Sequence, residues 1–369
     1  MNNRSINIIL GNTFGGIMSV YEVLVEYFNN NDFLSINIVT FNYQDNENTF
    51  FPNNNKINLG INPPISKFNT IKFIFKFYNI VNKKNGNKFI INNPSVVILV
   101  FFISFFKKIK YIVHIHEPIS SIISKKPSLT KRLYLKLLNL ALKKSIKIVF
   151  ISRSVEQDYK KYFSSLNFVI IHNPISTINI LEKSNIICKY TNTEYNFITV
   201  GRLTDAKGYI TLIYAIEQLR KWKYDNFKLR IVGDGDMKDD LNNLINHLNL
   251  NNYIELTGYK TNPYNYIKQS DCYISSSKWE GFGLTILYAM LLKIPIISSN
   301  TEGAKVLLKS PSHFFEINNI NGLAKMLGKF MDNKNILKDT IEDNFEFAKS
   351  FDIQYIGEKF KAELLNLCY

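Results

Sequence analysis

The residues best placed to do chemistry form the segment Glu280-Gly281-Phe282-Gly283-Leu284-Thr285, a carboxylate and two glycines at the start of an apolar helical stretch. A carboxylate just outside a helix N-terminus can accept hydrogen bonds from sugar hydroxyls. The backbone N–H groups of Gly283, Leu284 and Thr285 can meet an anion there. The plainer reading is that Glu280 caps the helix. Upstream, Arg202 and Lys207 sit on one short loop between Gly201 and Gly208, just past the apolar run Phe197 to Val200. Two cations at the end of a strand suit a diphosphate, although as a bare pair they read as solubilising charges. Gly15-Gly16 follows the first apolar run and opens a helical pattern, which allows close phosphate approach or else makes an ordinary tight turn. Three glycine-flanked loops that each open a helix favour a binding site.

His116-Glu117 ends the run KYIVHI, at a strand end where ligands collect. His114 is expected on the other side of that strand. His172, His247 and His313 lack such a setting and read as structural. Cys188, Cys272 and Cys368 show no metal-type spacing and read as buried or incidental thiols. Neither a G-x-G-x-x-G pattern nor a P-loop lysine is present, so nicotinamide and ATP sites have little support.

Strand-like and helix-like stretches must position these groups, and they alternate along the whole chain. The pattern predicts α/β architecture with parallel sheets. Expected strands include Ile6 to Leu10, Ser35 to Phe41, Lys88 to Ile91, Lys110 to Ile115, Ile146 to Ile151 and Phe168 to Ile171. After a polar, irregular stretch from Ser176 to Thr193, read as a linker, the alternation restarts at Phe197. Strands are then expected at Lys228 to Val232, Tyr253 to Leu256, Asp271 to Ile274 and Ile294 to Ile297. Two Rossmann-like domains are predicted, 1–175 and 176–352, with a last helix at about 353–369 packing back on the first.

At 369 residues, the chain is comfortable for two domains, and 46% hydrophobic residues supply two cores, which excludes disorder. The run Val96 to Phe106 is too short to span a bilayer and reads as a buried helix. The start MNNRSINIIL enters a strand without the apolar core of a signal peptide, so a cytoplasmic protein is expected. Residues 1–180 hold 22 Lys and Arg against 8 Asp and Glu, whereas residues 181–369 hold 23 against 22. Runs such as Lys83-Lys84, Lys107-Lys108, Lys125-Lys126, Lys131-Arg132 and Lys143-Lys144 carry the excess. A charge run is usually a solvated face, but this asymmetry suits an anionic membrane surface, which the protein would meet peripherally on the inner face. Nucleic acid is disfavoured, because no recognisable nucleic-acid module accompanies the charge.

The second half resembles glycosyltransferase family 4, of the GT-B fold. The matching stretches are GRLTDAKGYITLIYAI (Gly201 to Ile216), LRIVGDGDMKDDL (Leu229 to Leu241), LTGY (Leu256 to Tyr259) and SDCYISSSKWEGFGLTILYAM (Ser270 to Met290). The first half matches more loosely, through Gly15-Gly16, HIHEP and VIIHNPI. The resemblance implies two Rossmann-like domains facing across a cleft. It also implies a retaining, metal-independent transfer of a hexose or N-acetylhexosamine from a nucleotide diphosphate sugar, UDP-sugars being the commonest. No cofactor is implied, and front-face attack removes any need for the carboxylate nucleophile of retaining glycosidases. Arg202 and Lys207 would bind the diphosphate, Glu280 the transferred sugar, and Gly281, Phe282, Gly283, Leu284 and Thr285 would supply backbone donors. Gly258 and Tyr259 would lie beside the nucleobase, Gly16 would close over the phosphates, and His116 would line the sugar and acceptor site. The acceptor would be a lipid-linked saccharide in surface polysaccharide synthesis, such as lipopolysaccharide or capsule.

Two positions depart from the family. Tyr288 stands where a second glutamate usually binds the ribose, and a phenol cannot hold a diol through two carboxylate oxygens. The stretch TEGAKV, Thr301 to Val306, read as a loop, lacks the acidic residue that often follows a glycine there. Tyr288 motivates a second reading, a non-catalytic GT-B partner with weakened donor binding.

Overall fold

Successive side chains of the first strand, Ile6, Asn7, Ile8, Ile9 and Leu10, are all buried. A strand covered on both faces reads as such an unbroken run, which is how parallel sheets with helices on either side are built. In a computed structural model, the described residues are 5–10, 15–31, 35–41, 51, 54–59, 67–82, 87–124, 127–186 and 195–368. Gly11, Lys83-Lys84, Lys125-Lys126, Cys188 and the end of the expected linker lie outside them. The chain divides into two units, Met1–Pro174 with Ile353–Tyr369, and Ile175–Asp352.

The first unit runs β1 (Ser5–Leu10), α1 (Gly16–Asn30), β2 (Ser35–Thr40), β3 (Asn55–Asn58), α2 (Lys67–Val81), β4 (Lys88–Ile91) and α3 (Pro94–Ile103). It continues with β5 (Lys110–Ile115), α4 (Ile119–Ile123), α5 (Ser128–Lys144), β6 (Lys147–Phe150), α6 (Arg153–Lys160) and β7 (Phe168–Ile170). The strands pair in parallel in the order β3-β2-β1-β4-β5-β6-β7. Chain order reverses between β1 and β4, the place where such sheets open a crevice for ligands.

The second unit holds α7 (Thr177–Ser184), β8 (Tyr195–Val200), α8 (Tyr209–Lys221), β9 (Phe227–Val232), α9 (Lys238–His247), β10 (Ile254–Gly258) and α10 (Tyr264–Lys268). Then come β11 (Cys272–Ser275), α11 (Leu284–Leu291), β12 (Ile296–Ser299), α12 (Glu302–Leu307), β13 (Phe314–Phe315), α13 (Ile320–Asp332) and α14 (Ile341–Lys349). Its sheet is also parallel, in the order β10-β9-β8-β11-β12-β13, and reverses between β8 and β11. Phe197, Leu229, Ile231, Cys272 and Ile274 from the strands pack with Leu212, Ile216 and Leu327 in its core.

The last helix, α15 (Ile353–Cys368), belongs to the first unit. It packs on α1, where the Tyr27 hydroxyl donates to Glu358 and the Tyr27 ring lies over Gly357.

Three expectations need correction. The polar stretch after Ser176 is not irregular throughout. Ser176 Oγ accepts from Asn179 N at 3.4 Å and Ile180 is buried, so an N-capped helix forms where a linker was expected. The apolar run Val96 to Phe106 is a buried helix only as far as Ile103, beyond which Phe105 and Phe106 are 63% and 84% exposed. Thr301 to Val306 is not a loop, because the Thr301 hydroxyl accepts from Ala304 N at 3.4 Å and starts α12. Among the described residues, no helix is long and apolar enough to cross a membrane.

Candidate functional site

In the second unit, the strands that flank the reversal carry the chemistry. The loop after β8 makes a short 3₁₀ turn over Asp205–Lys207 and ends at Gly208, with φ +64°. A Cβ on Gly208 would stand 2.1 Å from the Ser276 carbonyl oxygen, so only glycine fits between the two loops. They are also stitched directly, since Ser276 Oγ donates to Lys207 O at 2.9 Å and Lys278 N donates to Ala206 O at 2.8 Å.

That stitching sets Lys207 against Glu280. Lys207 Nζ donates to Glu280 Oε2 at 2.7 Å, with side-chain exposures of 25% and 15%. Ser277 Oγ reaches the same oxygen at 3.4 Å. Glu280 is therefore not the helix cap. The cap position of α11 is Gly283, in the left-handed region and without a side-chain cap hydrogen bond. The first-turn N–H groups of Leu284 and Thr285 thus point out of the helix start with no side chain capping them. Phe282 is buried edge-on against Phe351, ring centroids 5.4 Å apart, and anchors the loop between its glycines. Thr285 Oγ1 accepts from the Tyr273 hydroxyl at 2.7 Å.

Arg202 lies on the same loop as Lys207, but its side chain is half exposed and reaches Asp236 at 3.9 Å, not Glu280. Gly258 and Tyr259 sit at the end of β10, two strands from β8. A Cβ on Gly258 would meet nothing within 4 Å, and Tyr259 is 56% exposed, so this edge is open. Tyr288 is buried in α11, its ring edge-on to Tyr264 at 5.0 Å. The structure thus brings Lys207, Glu280, Gly283 and Thr285 to one sheet edge, with Arg202 beside them, and leaves the Tyr288 side chain in the packing.

In the first unit, Gly15 opens α1 with φ +100°, and Met18 N donates to its carbonyl at 3.0 Å. His116 follows β5. Contrary to expectation, His114 shares its face, because residues two apart on a strand point the same way. The His116 and His114 rings lie 4.0 Å apart, with Nε2 of the first 3.2 Å from Nδ1 of the second. The Tyr21 hydroxyl lies 2.9 Å from that same Nδ1. Nδ1 of His114, with a single lone pair when it accepts, is shared between the two contacts. Burial holds His116 neutral by pushing its pKa down to about 3, and burial with the neighbouring His116 lowers His114 well below its usual value. His172 and His313 are held by the carbonyls of Ile151 and Ile296, at 2.7 and 2.8 Å, as structural histidines are.

Sequence reasoning missed Ser276, Ser277 and Tyr273, which lie in the matched stretch but carry no charge to draw notice. It also missed Gly303, on which a Cβ would stand 2.2 Å from the Glu280 carbonyl oxygen.

Comparison with known proteins bears on the second unit first. Residues 186–347, within this unit, match the family described as glycosyl transferases group 1. The chain is 32% identical over 260 residues to an uncharacterized glycosyltransferase of Methanocaldococcus jannaschii, covering 65% of this chain and 62% of that protein. It is 28% identical over 188 residues to the N-acetylgalactosamine-N,N'-diacetylbacillosaminyl-diphospho-undecaprenol 4-alpha-N-acetylgalactosaminyltransferase of Campylobacter jejuni, covering 50% of this chain and 49% of that one. The chain therefore spans about half to three fifths of the curated relatives it matches. Among solved structures, Anabaena HepE in complex with UDP and glucose superposes with a TM-score of 0.80 at 16% identity, over 98% of this chain and 99% of that one. The two Rossmann-like units are those of the GT-B fold.

Proposed function

We propose that this chain is a retaining, metal-independent glycosyltransferase that moves a hexose or N-acetylhexosamine from a UDP-sugar to a lipid-linked saccharide in surface polysaccharide synthesis. The observation that carries the reading is the Lys207–Glu280 pair beside the uncapped start of α11, inside the matched domain. A cation and helix N–H groups compensate a diphosphate without a divalent ion, and a carboxylate beside them holds sugar hydroxyls. A bound phosphate oxygen would compete with Glu280 for the Lys207 ammonium and release the carboxylate toward the sugar. The UDP in the HepE structure and the undecaprenyl diphosphate in the name of the Campylobacter relative support the donor and acceptor classes.

The membrane part of the reading rests on the first unit. Phe102, Phe105 and Phe106 are exposed at the end of α3, and Leu129, Leu133 and Leu140 on the adjoining α5. Lys144 Nζ stands 4.5 Å over the Phe105 ring, and Lys107 Nζ 4.5 Å over Tyr78. Aromatic side chains set among lysines suit an anionic lipid surface, where each cation adds roughly 1 kcal/mol.

Thermal shift against a set of nucleotide sugars, followed by mass spectrometry of the lipid-linked product, tests the assignment. Stabilisation by a UDP-sugar with product formation is expected. Stabilisation without turnover on any acceptor would favour the second reading, a non-catalytic partner, which draws on the packed Tyr288. No stabilisation at millimolar donor would overturn the glycosyltransferase reading.

A further inference from the structure

Asn92 is the residue that the donor chemistry leaves unexplained. It follows β4, at the reversal of the first sheet, and is 8% exposed. Among the described residues, neither its Nδ2 nor its Oδ1 has a hydrogen-bond partner. A buried amide with both ends idle is costly, and folded proteins keep such groups for a reason. Asn92 lines a cavity of about 150 Å³ together with Ser95, His116, Glu117 and Tyr134. At about 30 Å³ per water, that is room for a handful of waters or one sugar ring.

The cavity walls say what kind of ligand fits. The start of α3 adjoins the cavity, yet its first N–H groups are already used. Asn93 Oδ1 accepts from Ser95 N at 2.9 Å and from Val96 N at 3.3 Å. No Lys or Arg is among the described lining residues, while the acidic residue Glu117 is. His116 is held neutral by burial. An anion would meet an acidic group and no free cation. A hydroxyl, which donates and accepts, matches an amide that does both, a neutral imidazole and an accepting carboxylate.

We infer that Asn92 is the specificity-determining contact of a subsite for an uncharged sugar ring, gripping adjacent hydroxyls through Nδ2 and Oδ1. The site excludes phosphorylated sugars. The inference rests on the glycosyltransferase reading insofar as this ring is the acceptor's, but the subsite lies wholly within the first unit and can be tested apart from the donor site.

The test is saturation-transfer NMR with the methyl glycosides of glucose, galactose, N-acetylglucosamine and N-acetylgalactosamine, and with glucose 1-phosphate as the charged comparator. UDP binding by calorimetry runs in parallel. At least one glycoside should bind, Asn92→Ala should weaken it tenfold or more, and UDP affinity should stay within twofold. Asn92→Leu should also lose the glycoside while unfolding at the same or a higher temperature, which a purely structural asparagine would not do. UDP binding with no glycoside binding, unchanged glycoside binding in Asn92→Ala, or a preference for glucose 1-phosphate would each overturn the inference while leaving the glycosyltransferase reading in place. Glycoside binding that depends on Asn92 but without UDP binding would uphold the subsite and sink the donor reading.

Discussion

Lys207 and Glu280 lie 73 residues apart in sequence and meet at 2.7 Å, because Gly208 lets one loop press against the next. Both side chains are mostly covered, so removing either strands the other. A charged hydrogen bond is worth about 1.5 to 3 kcal/mol, roughly a ten- to hundredfold effect. Glu280→Ala should therefore lower transfer by at least tenfold while UDP binds as tightly or more tightly, and Lys207→Met should weaken UDP itself. Steady-state kinetics and calorimetry separate the two. Full transfer activity in Glu280→Ala would falsify its role in holding the sugar.

Gly303 acts through the backbone of the same glutamate. With a Cβ 2.2 Å from the Glu280 carbonyl oxygen, Gly303→Ala must push the Glu280 loop off α12. Overpacking of this kind typically costs about 1 to 3 kcal/mol. A lower melting temperature and reduced transfer are expected together. A variant as stable and active as the parent would show that the loop moves freely.

Tyr288→Glu supplies the carboxylate that the resemblance implies here but not a setting for it. The Tyr288 ring is buried against Tyr264, and a carboxylate there would exchange aromatic packing for a desolvated charge. We expect this variant to unfold at a lower temperature and to gain no affinity for UDP, whereas Tyr288→Phe should keep its fold and binding. Tighter UDP binding by Tyr288→Glu would mean that α11 can turn this position outward.

The buried histidines make stability depend on pH. Folding lowers the pKa of His116 to about 3, and that of His114 well below its usual value, while the unfolded chain titrates near 6.5. The unfolded state therefore takes up protons first, so stability is complete above pH 6.5 and falls as pH drops toward the folded values. Each histidine contributes a slope of up to about 1.4 kcal/mol per pH unit. Melting temperature should decline steeply from pH 6.5 to 5, and His114→Phe should flatten the decline. An equal slope in that variant would place the titration elsewhere.

Exposed aromatics at the end of α3 predict lipid selectivity. Phe105→Ser with Phe106→Ser should reduce flotation on vesicles containing anionic lipid, and Lys107→Glu with Lys108→Glu should abolish its dependence on anionic content. Flotation that ignores both pairs would remove this face as the contact.

The fold class was legible because strands such as KFII and KYIVHI are largely apolar and alternate with helical stretches, and because glycines follow the runs that end at Val200 and Val232. The loop after β8 was legible because Gly201 and Gly208 bracket it, and Gly208 is where a side chain would strike the Ser276 carbonyl. Short-range signals were harder. Ser176 reads as a polar linker residue until its hydroxyl is seen to cap a helix, and Phe105 reads as core until the helix stops two residues before it. His114 and His116 lie two apart and so share a face of β5, where their contact depends on ring positions that the sequence does not display. Asn92 could not be singled out at all. An amide matters there only because burial denies it partners, and burial is a property of the folded surroundings.

The membership of α15 in the first unit has a consequence for synthesis. This helix covers the edge of His114 with Phe360, ring centroids 5.0 Å apart, and meets Tyr27 of α1. Yet it is translated only after Ile175–Asp352, a stretch that takes roughly ten to thirty-five seconds at ordinary elongation rates. The second unit is one uninterrupted stretch of chain, complete before α15 is made, while the first waits on the ribosome with α1 uncovered. The half that emerges first is thus completed last, and α1 with its bare apolar side is where a chaperone would be expected to hold the nascent chain.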